Sequence, residues 1–274
     1  MKLALAALAL LLPAQALAQC AITEPLLAQA YPNGQQSENG VLVKGGGRTI
    51  QPRDVVCKPW PWRPELMLAA VPLVETKSAA ADETKGDVEI LVTDPDGKPL
   101  ARRLERGMAF SDAIQFGEMS LDTARYDVRD GLRAFGLRTA QYGSSRVNPY
   151  MERSLWLYTF DKGRIERVLD GLIVERSNGE NNGACEGEIT TVKRTIGLGR
   201  KGKQGYRDLN VEQTATHETS KMVGDECLTD ERPGKTAKID LTFDKGRYRP
   251  GTGTKPRSGD IEKDLFSLIQ IKGR

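Results

Sequence analysis

Histidine is almost missing from this chain: His217 is the one copy in 274 residues. That scarcity argues against histidine-rich metal centres and against most acid–base mechanisms that run through imidazole. An excess of one charge sign is missing too. Lys and Arg number 40 against 37 Asp and Glu, a formal +3, so nothing favours docking on nucleic acid or on an anionic membrane surface. After the first 18 residues, no run approaches the roughly 20 apolar residues of a membrane-spanning helix. The four cysteines contain no C-x-x-C pair for zinc, and the D-x-[DN]-x-[DN]-G calcium loop is absent. We therefore expect no metal and no cofactor. Glycine (28) and proline (14) are plentiful, and 39% of residues are hydrophobic. The chain can build a core and is rich in turns.

The N-terminus carries the pattern of an export signal. Met1-Lys2 precedes an apolar run from Leu3 to Leu12, Pro13 breaks it, and Ala16-Leu17-Ala18 supplies a small-x-small cleavage site. We expect residues 1–18 to be a signal peptide, leaving a mature periplasmic or secreted protein with 39 basic and 37 acidic residues. Leu17-Ala18-Gln19-Cys20 resembles a bacterial lipobox, but Gln19 stands where that pattern has Gly, Ala or Ser. A soluble protein without a lipid anchor at Cys20 is the expectation. In an oxidising compartment the cysteines read as structural disulfides, and four of them allow three pairings. We expect Cys20–Cys57 and Cys185–Cys227; a loop of about 40 residues would contribute roughly 3–4 kcal/mol on closure.

The rest is organised as strands. Ala237, Ile239, Leu241 and Phe243 share one parity while charged and hydroxyl residues take the other, which predicts a half-buried strand. Ser154 to Phe160 is apolar on both parities and predicts a central strand. Val88–Val92, Ile114–Phe116, Phe135–Thr139, Leu172–Glu175, Val192–Leu198 and Leu209–Ala215 are further candidates. Asp94-Pro95-Asp96-Gly97-Lys98 predicts a hairpin. Thr159-Phe160-Asp161-Lys162-Gly163-Arg164 recurs as Thr242-Phe243-Asp244-Lys245-Gly246-Arg247, which implies either duplicated hairpins or one good turn reached twice. We expect a mainly β fold of many antiparallel strands, a small propeller or a twisted sandwich. Residues 19–47 read as a loosely ordered entry with a short strand at Val41–Val43, and 48–257 as the β domain. Residues 258–274 read as a C-terminal helix packed on it, with Asp260 as cap and Ile261, Leu265, Phe266, Leu268 and Ile269 on one face.

Most chemical motifs fall short. Gly197-Leu198-Gly199-Arg200-Lys201-Gly202 fits G-x-G-x-x-G, but no helix pattern follows to present its amides to a pyrophosphate. With Lys203 and Arg207 it predicts a basic hairpin tip, in which Arg200, Lys201, Lys203 and Arg207 are candidate binding residues for an acidic partner or an anionic envelope polymer. His217 has no nucleophile motif beside it, since Gly143-Ser144-Ser145-Arg146 is not the G-x-S-x-G elbow. A Cys185–Cys227 bond would gather an acidic cluster that includes Glu186, Glu188, Asp225 and Glu226. Two such carboxylates at the right separation would hydrolyse a glycosidic bond. Trp60-Pro61-Trp62 sits among alternating prolines, which predicts either a semi-rigid rod displaying Trp60 and Trp62 as candidate binding residues for sugar rings or a partner's peptide, or indoles plugging the edge of the core.

Gly205-Tyr206-Arg207-Asp208-Leu209 and Leu155-Trp156-Leu157-Tyr158 resemble patterns of exported bacterial β-rich proteins of unknown function. More distantly, they resemble periplasmic β-propeller-like proteins that inhibit cell-wall hydrolases or confer immunity to them. The calcium loops of many propellers are missing, so the resemblance transfers no inhibitory residue. It implies a non-catalytic binding protein whose partner is another envelope protein. The competing expectation is a carboxylate-dependent hydrolase of envelope polysaccharide.

Overall fold

The computed structural model describes residues 20–43, 45, 47–77, 83–202, 204–251 and 265–267. Two antiparallel sheets and no closed barrel make up a mainly β molecule. The smaller sheet runs β1 (Gln35–Ser37), β2 (Gly40–Val43), β3 (Arg48–Ile50), β5 (Met67–Glu75), β6 (Gly86–Thr93) and β7 (Pro99–Glu105), with β4 (Val56–Pro59) also on β5. The larger sheet is a meander of long hairpins: β8 (Ile114–Arg129), β9 (Leu132–Gly143), β10 (Tyr150–Asp161), β11 (Arg164–Asn181), β12 (Gly187–Lys201) and β13 (Arg207–Val223). Strands β15 (Ala237–Asp244) and β16 (Arg247–Pro250) continue it beyond β13, and β14 (Glu226–Pro233) pairs with the other half of β13. Of the two expected architectures this is the sandwich, since two sheets share one core where a propeller would have radial blades.

The shared core explains the strand that is apolar on both parities. On one face of β10, Trp156 and Tyr158 join Phe135 and Leu137 against Val88, Ile90 and Val92 of β6. On the other face, Leu155 and Leu157 join Leu172, Leu209, Val211, Ile239 and Leu241 in a second core inside the curl of the larger sheet. The curl brings its remote parts together at a bridge between Arg129 and Tyr206. Strand β5 carries Pro72 in mid-strand, a residue that normally argues against a central position. It is tolerated where the ladder is interrupted: β4 pairs with β5 only as far as Ala70, and β3 begins at Val74.

The entry segment is more ordered than its composition suggests. It forms α1 (Thr23–Ala30), whose Leu26, Leu27 and Ala30 are buried against the outer face of the smaller sheet. A Cys20–Cys57 disulfide ties this layer to β4. The predicted Asp94–Lys98 hairpin packs beneath the helix. At Gly97, with φ +89°, a Cβ would lie 2.8 Å from the Leu26 nitrogen, so the turn conformation and the close approach both require glycine.

The sequence repeat is a repeat of a turn. Lys162-Gly163 (φ 48° and 73°) and Lys245-Gly246 (φ 47° and 82°) are two-residue loops with both residues left-handed, the primed geometry that matches strand twist. Their strands differ: β10 and β11 are central and long, whereas β15 and β16 are short and peripheral.

The C-terminal helix is not supported. Most of 258–274 lies outside the described residues. Where the chain is described, Leu265–Ser267 lies along β11 in an antiparallel bridge between Phe266 and Leu172. The Ile173 amide donates to the Leu265 carbonyl (3.0 Å) and the Ser267 amide to the Gly171 carbonyl (2.8 Å). Leu265 is buried in the second core. An apolar residue beside an unpaired strand edge satisfies both the core and the edge by extending.

Candidate functional site

The halves of β11, β12 and β13 that lie beyond the core, together with β14, form an arm. Along β13, Leu209, Val211 and Gln213 are buried, but on the same parity Ala215 is half-buried and His217 is exposed. The sheet has outrun its cover there. From Lys221 to Pro233 every residue is exposed, including the whole of β14. The Cys185–Cys227 disulfide joins the β11–β12 turn to β14. It adjoins Glu186 and Glu226 directly, since each follows or precedes a bonded cysteine in sequence.

The arm's charge is lopsided. The turn from Glu180 to Glu188 has three carboxylates and no cation, and Lys221–Pro233 has Asp225, Glu226, Asp230 and Glu231 against Lys221 and Arg232. This strongly acidic element belongs to a chain whose total charge is positive. Three large apolar side chains accompany the acids: Met222, Val223 and Leu228 are each nearly half exposed. Val223 and Leu228 share the parity of Lys221 and Glu226, while Met222 lies opposite Cys227 on the disulfide face. At the root of the arm a polar depression of about 350 Å³ is lined by Ser177, Thr191, Thr214, Thr216, Glu218 and Glu231 among others.

Glu186, Glu188, Asp225 and Glu226 are all exposed. None of them lines this depression or the cavity between β11 and β16. A glycosidic general acid needs an apolar enclosure to hold its proton at neutral pH, and these side chains have none. Among the described residues no group of three His, Cys, Asp or Glu is placed to hold a metal ion. His217 lies mid-strand, with its Nδ1 2.9 Å from the Thr190 hydroxyl.

The basic tip is at the opposite end of β12 from the arm. Gly197 to Lys201 stay in β12 and the chain turns directly into β13 at Arg207, so no helix follows the G-x-G-x-x-G match. The tip's charge is partly spent inside the protein. Lys201 lies 2.6 Å from Asp130, and Arg200, though almost fully exposed, lies 3.5 Å from Asp208. The ammonium of Lys201, through its hydrogen bond first, holds the Asp130 carboxyl below the usual aspartate range. Arg207 is half-buried, and Lys203 lies outside the described residues.

The two tryptophans do not form a rod. The Arg63 amide donates to the Trp60 carbonyl (2.9 Å) and the Trp60 amide to the Leu66 carbonyl (3.0 Å), closing a turn on itself. Pro61 occupies the turn position that its fixed φ favours, so proline here bends the chain instead of extending it. Trp60 is 2% exposed and sits edge-on to Phe135 in the shared core, and its indole Nε1 has no hydrogen-bond partner. Trp62 is 45% exposed, with the Arg133 guanidinium 4.1 Å above its ring.

Sequence reasoning reached the acids of the arm through the disulfide but missed β14 as a strand. Glu226-Cys227-Leu228-Thr229-Asp230-Glu231-Arg232-Pro233 has no buried parity, so alternation gives no signal. Comparison with known proteins found no matching family model, no matching curated protein and no matching solved structure. Among the described residues no helix is long and apolar enough to cross a membrane.

Proposed function

We propose that this is a non-catalytic exported binding protein and that the acidic arm is its contact surface for another envelope protein. The observation that carries the reading is the disulfide-braced arm itself. Thirteen consecutive exposed residues, Lys221–Pro233, are covalently tied to the neighbouring turn although they contribute nothing to either core. Bracing an exposed element lowers the ordering cost of binding, which is where a rigid contact surface gains affinity. The clustered carboxylates favour a basic surface on the partner and would speed its encounter. Met222, Val223 and Leu228 supply the apolar contacts that such interfaces keep at their centre. The acidic arm is favoured over the basic tip because two of the tip's cations, Arg200 and Lys201, already have acidic partners.

Export is part of the same proposal. Two disulfides fit an oxidising compartment, and the signal pattern of residues 1–18 supplies the route. Cys20 has its sulfur in the bond to Cys57, which leaves no thiol for a lipid thioether and favours the unanchored form.

The test is affinity capture of the tagged full-length protein from its own cell envelope, in parallel with an Asp225→Asn/Glu226→Gln/Asp230→Asn/Glu231→Gln variant. We expect a stoichiometric envelope protein on the wild type that is lost from the variant and released by salt. Equal recovery on both proteins, or recovery of neither, overturns the role given to the arm.

A further inference from the structure

Strand β14 is the outermost strand of the arm, and its free edge is unlike the molecule's other edges. Among the described residues it pairs only with β13. The pairs from Thr216–Pro233 to Val223–Glu226 run without a register shift. Exposed edges invite added strands, and proteins blunt them by shortness, by bulges or by lysine and proline. The outer strands β1, β4 and β16 have three or four residues each. The ladders of β7 and β8 carry register shifts. Strand β14 has eight residues, no shift, no lysine, and a proline only at its last position.

The two ends of β14 set the phase of its hydrogen bonds. At one end Gly224 (φ +64°) and Asp225 form a two-residue loop, whose flanking pair, Val223 and Glu226, exchanges backbone hydrogen bonds. At the other, the Gly234 amide donates to the Ala215 carbonyl (2.7 Å). Both ends put the even-numbered residues of β14 on the β13 ladder. Cys227, Thr229 and Glu231 therefore turn their amides and carbonyls outward, to no partner among the described residues.

The side chains along this edge select what can join it. Glu226 and Glu231 make no ion pair with the described residues, whereas Asp230 is paired with Arg232 at 2.7 Å. Lys221 is on the face of Glu226, across from Leu228, and Glu218 lies directly opposite Glu231. A second copy of β14 would set one net-negative strand against another, which like charges oppose. A basic strand meets no such opposition, and an apolar residue on it would cover Leu228, which is 46% exposed.

On the reading that the arm is the contact surface, we propose that the partner is held by adding a strand to the outer edge of β14. The added strand carries basic residues opposite Glu226 and Glu231 and an apolar residue opposite Leu228. Its sequence is basic-x-apolar-x-x-basic if parallel to β14, and the reverse order if antiparallel. The outward amides and carbonyls supply the hydrogen bonds, and the side chains choose the strand.

The test is amide hydrogen exchange of the full-length protein, read by NMR, alone and with synthetic peptides. The probes are Thr-Lys-Thr-Val-Thr-Thr-Lys-Thr, its reverse, and both with Glu in place of Lys. In the free protein the amides of Thr229 and Glu231 should exchange freely, while those of Leu228 and Asp230 are protected. One lysine peptide should bind in the millimolar range or tighter and slow exchange at Thr229 and Glu231 by about tenfold or more at saturation. The Glu versions should bind at least about tenfold more weakly. Thr229→Pro removes an outward amide but no bond to β13, and should weaken binding by about tenfold. Thr229→Val loses the same 2.9 Å hydroxyl contact with Ser220 but keeps the amide, and should bind like the wild type. Protected Leu228 and Asp230 amides certify the fold of both variants.

Protection of Thr229 in the free protein would mean that this chain or a second copy already covers the edge, and would overturn the proposal. Equal binding of the Lys and Glu peptides, binding unaffected by Thr229→Pro, or no peptide binding up to about 10 mM would overturn it too. None of these results bears on the arm as a contact surface, which the capture experiment tests with a charge variant that keeps every backbone amide.

Discussion

Arg167 on β11 and Glu105 at the end of β7, 62 residues apart, form an ion pair between the two sheets with side chains only 8% and 1% exposed. Arg103 approaches the same carboxylate at 2.6 Å, and Tyr158 packs nearby with a hydroxyl that has no hydrogen-bond partner. Burial, followed by the Glu105 charge, raises the Tyr158 hydroxyl well above the ordinary tyrosine value, so it stays protonated. The sandwich is therefore joined by apolar packing and, at one end, by an almost water-free charge pair.

A buried charge that loses its partner costs more than the pair contributes, because the survivor has left water without compensation. Arg167→Met leaves Glu105 still bonded to Arg103, so the loss should be about 1.5–3 kcal/mol, less than for a buried charge left alone, and Arg167→Met/Glu105→Leu should recover part of it. Urea unfolding of the three proteins decides it. Additive losses in the double variant would mean that the two residues act independently.

Acid should loosen a second buried site. Glu152 is 1% exposed and accepts hydrogen bonds from Tyr150 (2.7 Å), Ser154 (3.0 Å) and Arg176 (2.9 Å). Burial pushes its carboxyl up, but donors from Tyr150, Ser267 and Arg176 outweigh burial and hold it below the usual glutamate value of 4.5. A carboxyl depressed in the folded state adds stability that is present above its unfolded value. That stability is lost as pH falls through the folded value. Wild-type stability should thus fall as the solution is acidified from about pH 5. Glu152→Gln should be less stable at neutral pH and show a flatter acid limb. Parallel pH profiles would exclude Glu152 as a contributor.

The two indoles of the proline-rich turn should differ sharply. Trp60→Ala empties the centre of the shared core and should cost about 3–5 kcal/mol. Trp62→Ala removes an exposed ring and one cation–π contact, a loss of about 1 kcal/mol or less. Comparable losses would contradict the burial of one and the exposure of the other.

Glycine matters in two distinct ways on β11 and its hairpin. Gly163 has φ +73° with nothing within 4 Å of a notional Cβ, so Gly163→Ala should cost about 1 kcal/mol in backbone strain alone. At Gly171, φ is +55° and a Cβ would lie 2.5 Å from the Trp156 ring. Gly171→Ala should cost about 3 kcal/mol, measured by chemical denaturation. Equal losses would mean that Trp156 moves aside freely.

These features show what the sequence exposes and what it hides. Turns are local, so the Asp94–Lys98 hairpin and both Lys-Gly loops follow from residues adjacent in the chain. Strands with a dry face are legible as well: Val88–Val92 and Ser154–Phe160 lie within β6 and β10. The disulfide pairing was expected as found. Elements whose partners lie far away were not legible. The α1 segment has only eight residues, and its apolar face makes sense only against the smaller sheet. Phe266 has a helical pattern of neighbours, but the free edge of β11 offers its backbone better hydrogen bonds. Trp60 and Trp62 differ by two positions in sequence, and only the turn between them decides which is buried. The arm was visible through its charges and invisible as structure, because a strand wet on both faces has no parity to read.

The most direct measurement is site-specific photo-crosslinking in the producing cell, with the photoreactive residue placed in turn at Met222, Leu228 and Leu100. All three side chains are about half exposed, but only the first two are on the arm. A binding protein that works through its arm gives one discrete cross-linked partner from positions 222 and 228 and none from 100. Cross-links from 100 alone, or none from either arm position while the protein is folded and exported, would contradict that account.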